Sequence, residues 1–489
     1  VPVILLDSEG GILKFQVFKN GKVTDKCDLN GAYLFGTDGV AIRGADIKFI
    51  DGFVDCNKPN LQTAGLVLPW EVQGEGKVLL ATTCLPERER PYNLNVEIAR
   101  GKLMQIVTKR EDWSLFNSDT EKISANAQQL FIRALNNISD MSASSMFADE
   151  ALLQSVQFSE KLAVQQAETA LKERASARGF SRGCFGCQID PIRITEPAYI
   201  EKLTQLFSSV IIPINWGKIE TTKGQYNFAD IERCMTVLSN KRMAIGAGPL
   251  LCFNHSELPA WLTSGRSSFE KVRENAYKFI TQIVERYRGT IRNWIVISGL
   301  NCQNHFGFSF EQILEMTRAA CMAVKAANEK ARKIIEVQNP WGEYYASISG
   351  TIPPLVYIDM AVQGGINFDA FALALNIGTD GKHINIRDML QISSLLDYLS
   401  PISKPFWITK IGLMNEPLNQ KGQASVPSQN QNWLNELYRI ALSKPFVDAV
   451  VYSNFADRVN AANGLVTEKL EYKEVFKNLK ELRKRIFQQ

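Results

Sequence analysis

The chain has 489 residues, enough for two or three domains rather than one. Apolar residues make up 45% and charged residues 22%, the balance of a globular protein rather than a disordered or fibrous one. With 55 basic against 51 acidic side chains the formal charge is only +4, so nucleic acid and anionic lipid are not expected partners, and no apolar run nears the ~20 residues of a membrane span.

Residues 1–112 read as a β segment. The opening "VPVILLDSEGG" has a short apolar run without the basic lead or cleavage site of a signal peptide. Val1 in place of Met is what removal of an initiator Met, or of a longer leader, leaves behind. Further on, "ILKFQVF", "DIKFIDGFV" and "KVLLATTCL" alternate apolar with polar residues and are cut by "KNG", "TDG" and "QGEG" turns. Strands this short at this spacing predict a β-sandwich. Such a domain serves packing or binds carbohydrate, and Trp70 after Pro69 fits either use.

Residues 113–178 change character. "ANAQQLFIRALNNI" and "ADEALLQSVQFSEKLAVQQAETALKERASA" are rich in Ala, Gln, Leu and Glu and lack Pro and Gly, which predicts helices. "SDTE" and "FADE" supply caps or acidic first turns. Leu152, Val156, Ala163, Ala167 and Leu171 lie near one stripe of the second helix. This segment is expected to act as an interdomain brace or as a contact for self-association into a homo-oligomer.

Residues 179–489 alternate apolar strands with amphipathic helices. The strand candidates are "GCFGCQID", "SSVIIPINW", "RMAIGAGPLLCF", "NWIVISGLN", "KIIEVQNPW", "FDAFALALNIG", "PFWITKIGL" and "DAVVYSN". Eight β/α units in this length predict an α/β fold, a (β/α)8 TIM barrel. A doubly wound sheet is the alternative, but the glycine fingerprint for phosphate is missing after the first strand. "KNLKELRKRIFQQ" reads as the solvated face of a closing helix anchored by Leu479, Leu482 and Ile486. Nine cysteines form no disulfide framework, and the Cys184/Cys187 pair reads as buried thiols rather than a zinc or redox motif. A reducing, cytoplasmic setting fits that pattern. His255, His305 and His383 sit on different units with no metal-ligand spacing, so neither a metal nor another cofactor is expected.

Five stretches of the barrel segment carry a pattern of fixed residues: "INWGKIETTKGQYNFADIERCMTVLSNKRMAIG" with Trp216, Glu220, Gly224, Tyr226, Phe228 and Asp230; "NHSELPAWL" with His255, Leu258, Pro259 and Trp261; and "ERYRGTIRNWIVISGLN", "TRAACMAVKAANEKARKII" and "PFWITKIGL". On these the segment resembles glycoside hydrolase family 10, the retaining β-1,4-xylanases, over roughly residues 185–460. The first two stretches match the family's second unit and third-strand exit, and the last three its acid/base strand, the following helix and its nucleophile strand.

The resemblance implies a retaining glycosidase with two carboxyl groups about 5–5.5 Å apart. The residues depart from it there. The family's Asn–Glu acid/base pair falls on Ser298 and Gly299, and its nucleophilic Glu falls on Lys410. In the supporting shell, Ile212, Pro213, Ile214 and Asn215 replace an Asn-Glu-x-Lys run, and only Trp216 is kept. Leu250, Ala374, Asn376 and Ser453 fall where sugar-binding side chains are expected. No catalytic residue is therefore assigned. The expectation is a pseudoenzyme, a xylanase-like protein that binds a polysaccharide or oligosaccharide or serves assembly. The alternative is a divergent glycoside hydrolase with a relocated acid pair.

Candidate cleft residues are Asn215, Trp216, His255, Trp341, Glu343, Asn376 and Lys410. In "QNPWGEY", Trp341 could stack on a sugar ring and Glu343 could take its hydroxyls, or Trp341 could pack the loop and Glu343 pair with Lys410. Glu343 and Glu416 are the one displaced acid pair the sequence offers. A buried strand-end lysine can also form a Schiff base, which keeps a lysine-dependent lyase open beside an ordinary salt bridge for Lys410.

Overall fold

The computed structural model describes residues 10–115, 118–377, 387–413, 433–458 and 463–487. The N-terminal strands are β1 (Gly11–Gln16), β2 (Phe18–Lys19), β3 (Lys22–Val23), β4 (Tyr33–Phe35), β5 (Asp46–Ile50), β6 (Phe53–Lys58), β7 (Gly65–Val72), β8 (Gly76–Ala81) and β9 (Tyr92–Asn93). They form one sheet in the order β5-β6-β1-β9, a second in the order β4-β7-β8, and the small β2–β3 ribbon. Leu13, Phe15, Val54 and Cys56 from the first sheet and Leu34, Leu66, Leu68, Val78 and Leu80 from the second share one core, as alternation in the sequence predicts for a sandwich. Trp70 is half-buried against that core.

Residues 94–112 correct the sequence reading. They are not strand but the helix α1 (Leu94–Asp112), capped by Asn93, whose side chain accepts from Val96 N. A helical stripe is invisible there because α1 is covered on several sides. Its buried residues run through consecutive positions, Leu94 to Ala99. Gly101 lets α1 approach β8, since a Cβ there would stand 2.1 Å from the Ala81 carbonyl oxygen. The helices α2 (Ser118–Asn136) and α3 (Met141–Ser176) follow where predicted.

The barrel strands are β10 (Phe185–Gln188), β11 (Ser209–Pro213), β12 (Ala244–Gly248) with its extension β13 (Leu251–Cys252), β14 (Asn293–Ser298), β15 (Arg332–Val337), β16 (Ala370–Ile377), β17 (Phe406–Leu413) and β18 (Val447–Tyr452). All pair in parallel; β10 joins β18, and β12 joins β14, so the sheet closes into an eight-stranded barrel. Each lies inside its expected sequence stretch, except that β15 and β18 begin one residue earlier, at Arg332 and Val447. Ile211, Ile295, Ile334, Ala370, Ala372, Trp407, Ala449 and Val451 fill the interior, where one large indole is matched by small alanines. No helix among the described residues is long and apolar enough to cross a membrane.

Helix α3 is the brace. Its residues Leu152 and Val156 join the sandwich core, whereas Leu162, Ala163, Ala167 and Leu171 join the barrel core. At its end, Arg174 donates to the carbonyls of Leu442, Lys444 and Val447, which lead into β18. Near its middle lies a buried charge cluster. Lys102 of α1 pairs with Asp388 at 2.6 Å, and Asp388 caps the barrel helix Met389–Leu399. Glu160 of α3 accepts from Met389 N at 3.0 Å in the same cluster.

Candidate functional site

The site is built from the C-terminal ends of the barrel strands, where a barrel's chemistry sits. Starting from interior Ile334, the period of two along β15 turns Glu336 and then Gln338 toward the barrel axis. Glu336 is fully buried, and Lys410 Nζ lies 2.6 Å from its Oε1. Thr409 Oγ1 donates to Glu336 Oε2 at 2.6 Å, and Ser298 Oγ donates to Oε1. Consecutive residues of a strand point to opposite faces, yet Thr409 and Lys410 both reach Glu336. A register break between Ile408 and Ile411 and a left-handed φ of 54° at Lys410 permit it.

The network extends outward. Gln338 Nε2 donates to Ser298 Oγ at 2.7 Å, Gln303 Nε2 to Gln338 Oε1 at 3.0 Å, and the Cys252 thiol to Gln303 Oε1 at 3.0 Å. Asn301 locks the Gln338 backbone through bonds to both its carbonyl and its N–H. Burial works to push the Glu336 carboxyl up. The Lys410 charge, with hydrogen bonds from Lys410, Ser298 and Thr409, outweighs it and holds Glu336 below the ordinary carboxylate range. Burial likewise works to lower the Lys410 ammonium, and the Glu336 carboxylate outweighs that and raises it. The pair is therefore charged. An ammonium held this way is not an amine nucleophile, which removes the physical basis for a Schiff base.

Gly299, at the acid/base position, has φ +65°, and its N–H donates to the Glu336 carbonyl at 2.9 Å. A Cβ there would lie 2.9 Å from Gln338 Cδ and 3.0 Å from its Nε2. The Gln338 amide thus occupies the space a side chain at 299 would need.

The remaining sequence candidates divide. Trp216 is a correction: it is 2% exposed, stacks on Phe279 at 5.2 Å and donates to Glu220 Oε2 at 2.7 Å. Tyr226 and Phe228 stack beside it, so this family-like motif is a packing cluster and not a cleft wall. Asn215 caps the short helix Trp216–Ile219 through Lys218 N and donates to Glu257 Oε2 at 2.5 Å. Glu257 is the second carboxylate at the mouth, near enough to act on the charge of Lys410.

Glu343 is also corrected. Its partner is Arg387 at 3.0 Å, both side chains being 3% exposed, rather than Lys410. The Arg387 guanidinium also stands 4.8 Å from the Trp341 ring, so that indole packs the loop. This loop holds the sandwich. Gly342 abuts Tyr33 and Ala41, and Arg43 donates to the Thr351 carbonyl and hydroxyl at 2.8 and 2.9 Å. Asn376 is placed by its backbone, in register with Gly412. Glu416 and His383 lie outside the described residues.

His255 and His305 come together, although they belong to different barrel units. Their ring centres are 4.8 Å apart and both residues are exposed. Burial and then the His255 charge hold the His305 imidazole below its ordinary value. Burial pushes the Cys184 thiol up to about 12 and the Cys187 thiol well above its usual value, so neither is a reactive thiolate.

Glu336 is the residue the sequence reading missed. Its signal was a charge inside the buried run "KIIEV", which requires a counter-charge, with Lys410 the one reversed charge on a neighbouring family-like strand.

Three comparisons with known proteins bear on this barrel. The model of the family described as Glycosyl hydrolase family 10 matches residues 170–317, from late α3 into the helix Phe310–Ala327 that follows β14. Endo-1,4-beta-xylanase 3 of Hypocrea jecorina is 22% identical over 186 residues, 37% of this chain and 52% of that protein. Endo-1,4-beta-xylanase A of Xylanibacter ruminicola is 25% identical over 109 residues, 21% of this chain and 29% of that protein. The chain thus spans about half the length of the curated relatives it matches, or less. Native xylanase 10B from Thermotoga maritima superposes with a TM-score of 0.50 at 17% identity, covering 62% of this chain and 95% of that one. GH10 from Paenibacillus barcinonensis does so with a TM-score of 0.50 at 16% identity, over 62% and 95%. The C-terminal domain therefore has a glycoside hydrolase family 10-like barrel fold.

Proposed function

We propose that this protein uses a xylanase-like barrel to hold a β-1,4-linked glycan without cleaving it. The observation that carries this reading is that Lys410, at the position where the family has its nucleophilic carboxylate, is held in an ion pair with Glu336, while Gly299 stands at the acid/base position. A general acid must carry a proton near the working pH. Glu336 is held ionised, fully buried and already accepting from three donors, so it does not carry the proton a leaving oxygen needs. At the nucleophile position the charge is inverted, so an oxocarbenium-like transition state is destabilised there. Polar groups that suit sugar hydroxyls remain at the mouth, among them Gln303, Asn215 and Glu257.

The sandwich is best read as a packing domain, because Tyr33 and Arg43 dock it on the loop after β15. Exposed Ile132 and Ile138, on and just after α2, support self-association as a second role of the helical segment, which sedimentation of the full chain tests.

The test of glycan binding is titration of xylotetraose and cellotetraose into the full-length protein by calorimetry, with chromatography of the sugar afterwards. Saturable binding of an intact sugar is expected. Accumulation of shorter sugars favours a relocated acid pair involving Glu257, and no heat with either sugar removes the glycan reading.

A further inference from the structure

We propose that His255 and His305 together bind one divalent transition ion, of the zinc, nickel or copper class, at the rim of the barrel mouth. The chain has only three histidines in 489 residues, and the fold brings two of them together from loops fifty positions apart. Metal–nitrogen bonds are about 2.1 Å. Adding the ~1.1 Å from ring nitrogen to ring centre, two imidazoles on one ion at near-tetrahedral angles stand about 5 Å apart, centre to centre. The observed separation is 4.8 Å with the rings tilted by 41°. Imidazole suits this class of ion, whereas magnesium and calcium prefer oxygen.

The pair is held in place by its backbone. His255 opens the turn His255–Glu257, capped by Asn254, whose Oδ1 accepts from Ser256 N. The His305 N–H donates to the Phe253 carbonyl at 3.1 Å, which ties the loop after β14 to the loop after β13. Asn304 closes its own loop through two bonds to Phe308, at 2.8 and 2.9 Å. Phe253 packs against Phe306 and Phe308, and Phe306 in turn packs edge-on against the His305 ring at 5.0 Å. Both imidazoles are exposed on this fixed platform, so an ion reaches them without rearrangement of the barrel. Among the described residues no third His, Cys, Asp or Glu completes the set. Two protein ligands leave at least two positions of a four-coordinate ion for water or an incoming oxygen donor. The site is independent of the Lys410–Glu336 network and stands or falls apart from the glycan reading.

The experiment uses the untagged, reduced full-length chain. Zinc chloride is titrated against the imidazole proton signals, with magnesium chloride as the control. One equivalent of zinc is expected to shift two of the three histidine signals, and magnesium none. His255→Ala and His305→Ala should each weaken zinc binding by at least about tenfold, since loss of even an outer partner costs that much. Circular dichroism checks that both variants stay folded, as exposed positions predict. If zinc leaves both signals in place, or if either variant binds zinc as tightly as the parent, the rings are a packing pair only and the proposal fails.

Discussion

Replacing Lys410 by Met tests whether the network at the barrel mouth is a true buried ion pair. Glu336 is fully buried, and among the described residues Lys410 is its one cationic partner within hydrogen-bond reach. Removing one member of such a pair costs about 3–5 kcal/mol, because the other is left as an uncompensated buried charge. The Lys410 side chain is 23% exposed, which places the expected cost near the lower end, about 3 kcal/mol. Glu336→Gln alone should cost less, about 1–2 kcal/mol, since Gln still accepts from Thr409 and Lys410 can hydrate. The double variant should recover much of the loss, a coupling of about 1.5–2 kcal/mol.

The pH dependence has a definite sign. In the parent, Glu336 lies below its unfolded value, so its stabilisation is present above the ordinary carboxylate range and is lost as pH falls through the lowered folded value. In Lys410→Met the same carboxyl is raised by burial alone, so the variant loses stability as pH rises. Its deficit should therefore shrink by on the order of 1–2 kcal/mol between pH 7 and pH 4.5. Urea unfolding followed by tryptophan fluorescence at both pH values measures all of these. Parent, both single variants and the double variant coinciding within about 0.5 kcal/mol would refute the buried pair.

Two further outcomes follow from the packing. Gly299→Glu should not restore hydrolysis of an aryl xylobioside. It should also cost about 2–3 kcal/mol in thermal unfolding, from the left-handed backbone and displacement of Gln338, and adding Gln338→Ala should relieve part of that cost. Glu160 is pushed up to about 8, first by burial and then by the charge of Asp388. Its contribution is thus full below the unfolded value of ~4.3 and is lost as pH rises through about 8. Glu160→Gln should match the parent in a thermal melt at pH 5 and exceed it by a few kcal/mol at pH 9. Superimposed stability–pH curves would show that Glu160 is not the buried titrating group.

Much of the architecture was legible because its physics is local. Each barrel strand is a short apolar run ended by turn residues, and α2 and α3 announce themselves by composition. Helix α1 was not legible, because a helix buried on several sides carries no stripe and Gly101 looks like a breaker until β8 is placed beside it. At the site, Gly299 and Lys410 could be located by their neighbours in the chain. Their environment could not, because it depends on which residues meet across strands. Glu336 reaches Lys410 over 74 positions, and Glu343 finds Arg387 over 44. Trp216 misled for a related reason: a family-like tryptophan keeps its place whether it lines a cleft or fills a core. The histidine pair was hidden in the same way, each ring being ordinary until two loops are brought together.

Turnover of aryl xylobioside and aryl cellobioside tests the proposed loss of glycoside hydrolysis by this barrel. With the parent protein in excess between pH 4 and pH 9, release of the aryl group should be indistinguishable from buffer. Protein-dependent release that Glu336→Gln or Glu257→Gln abolishes would contradict the claim and locate a working carboxylate in the mouth.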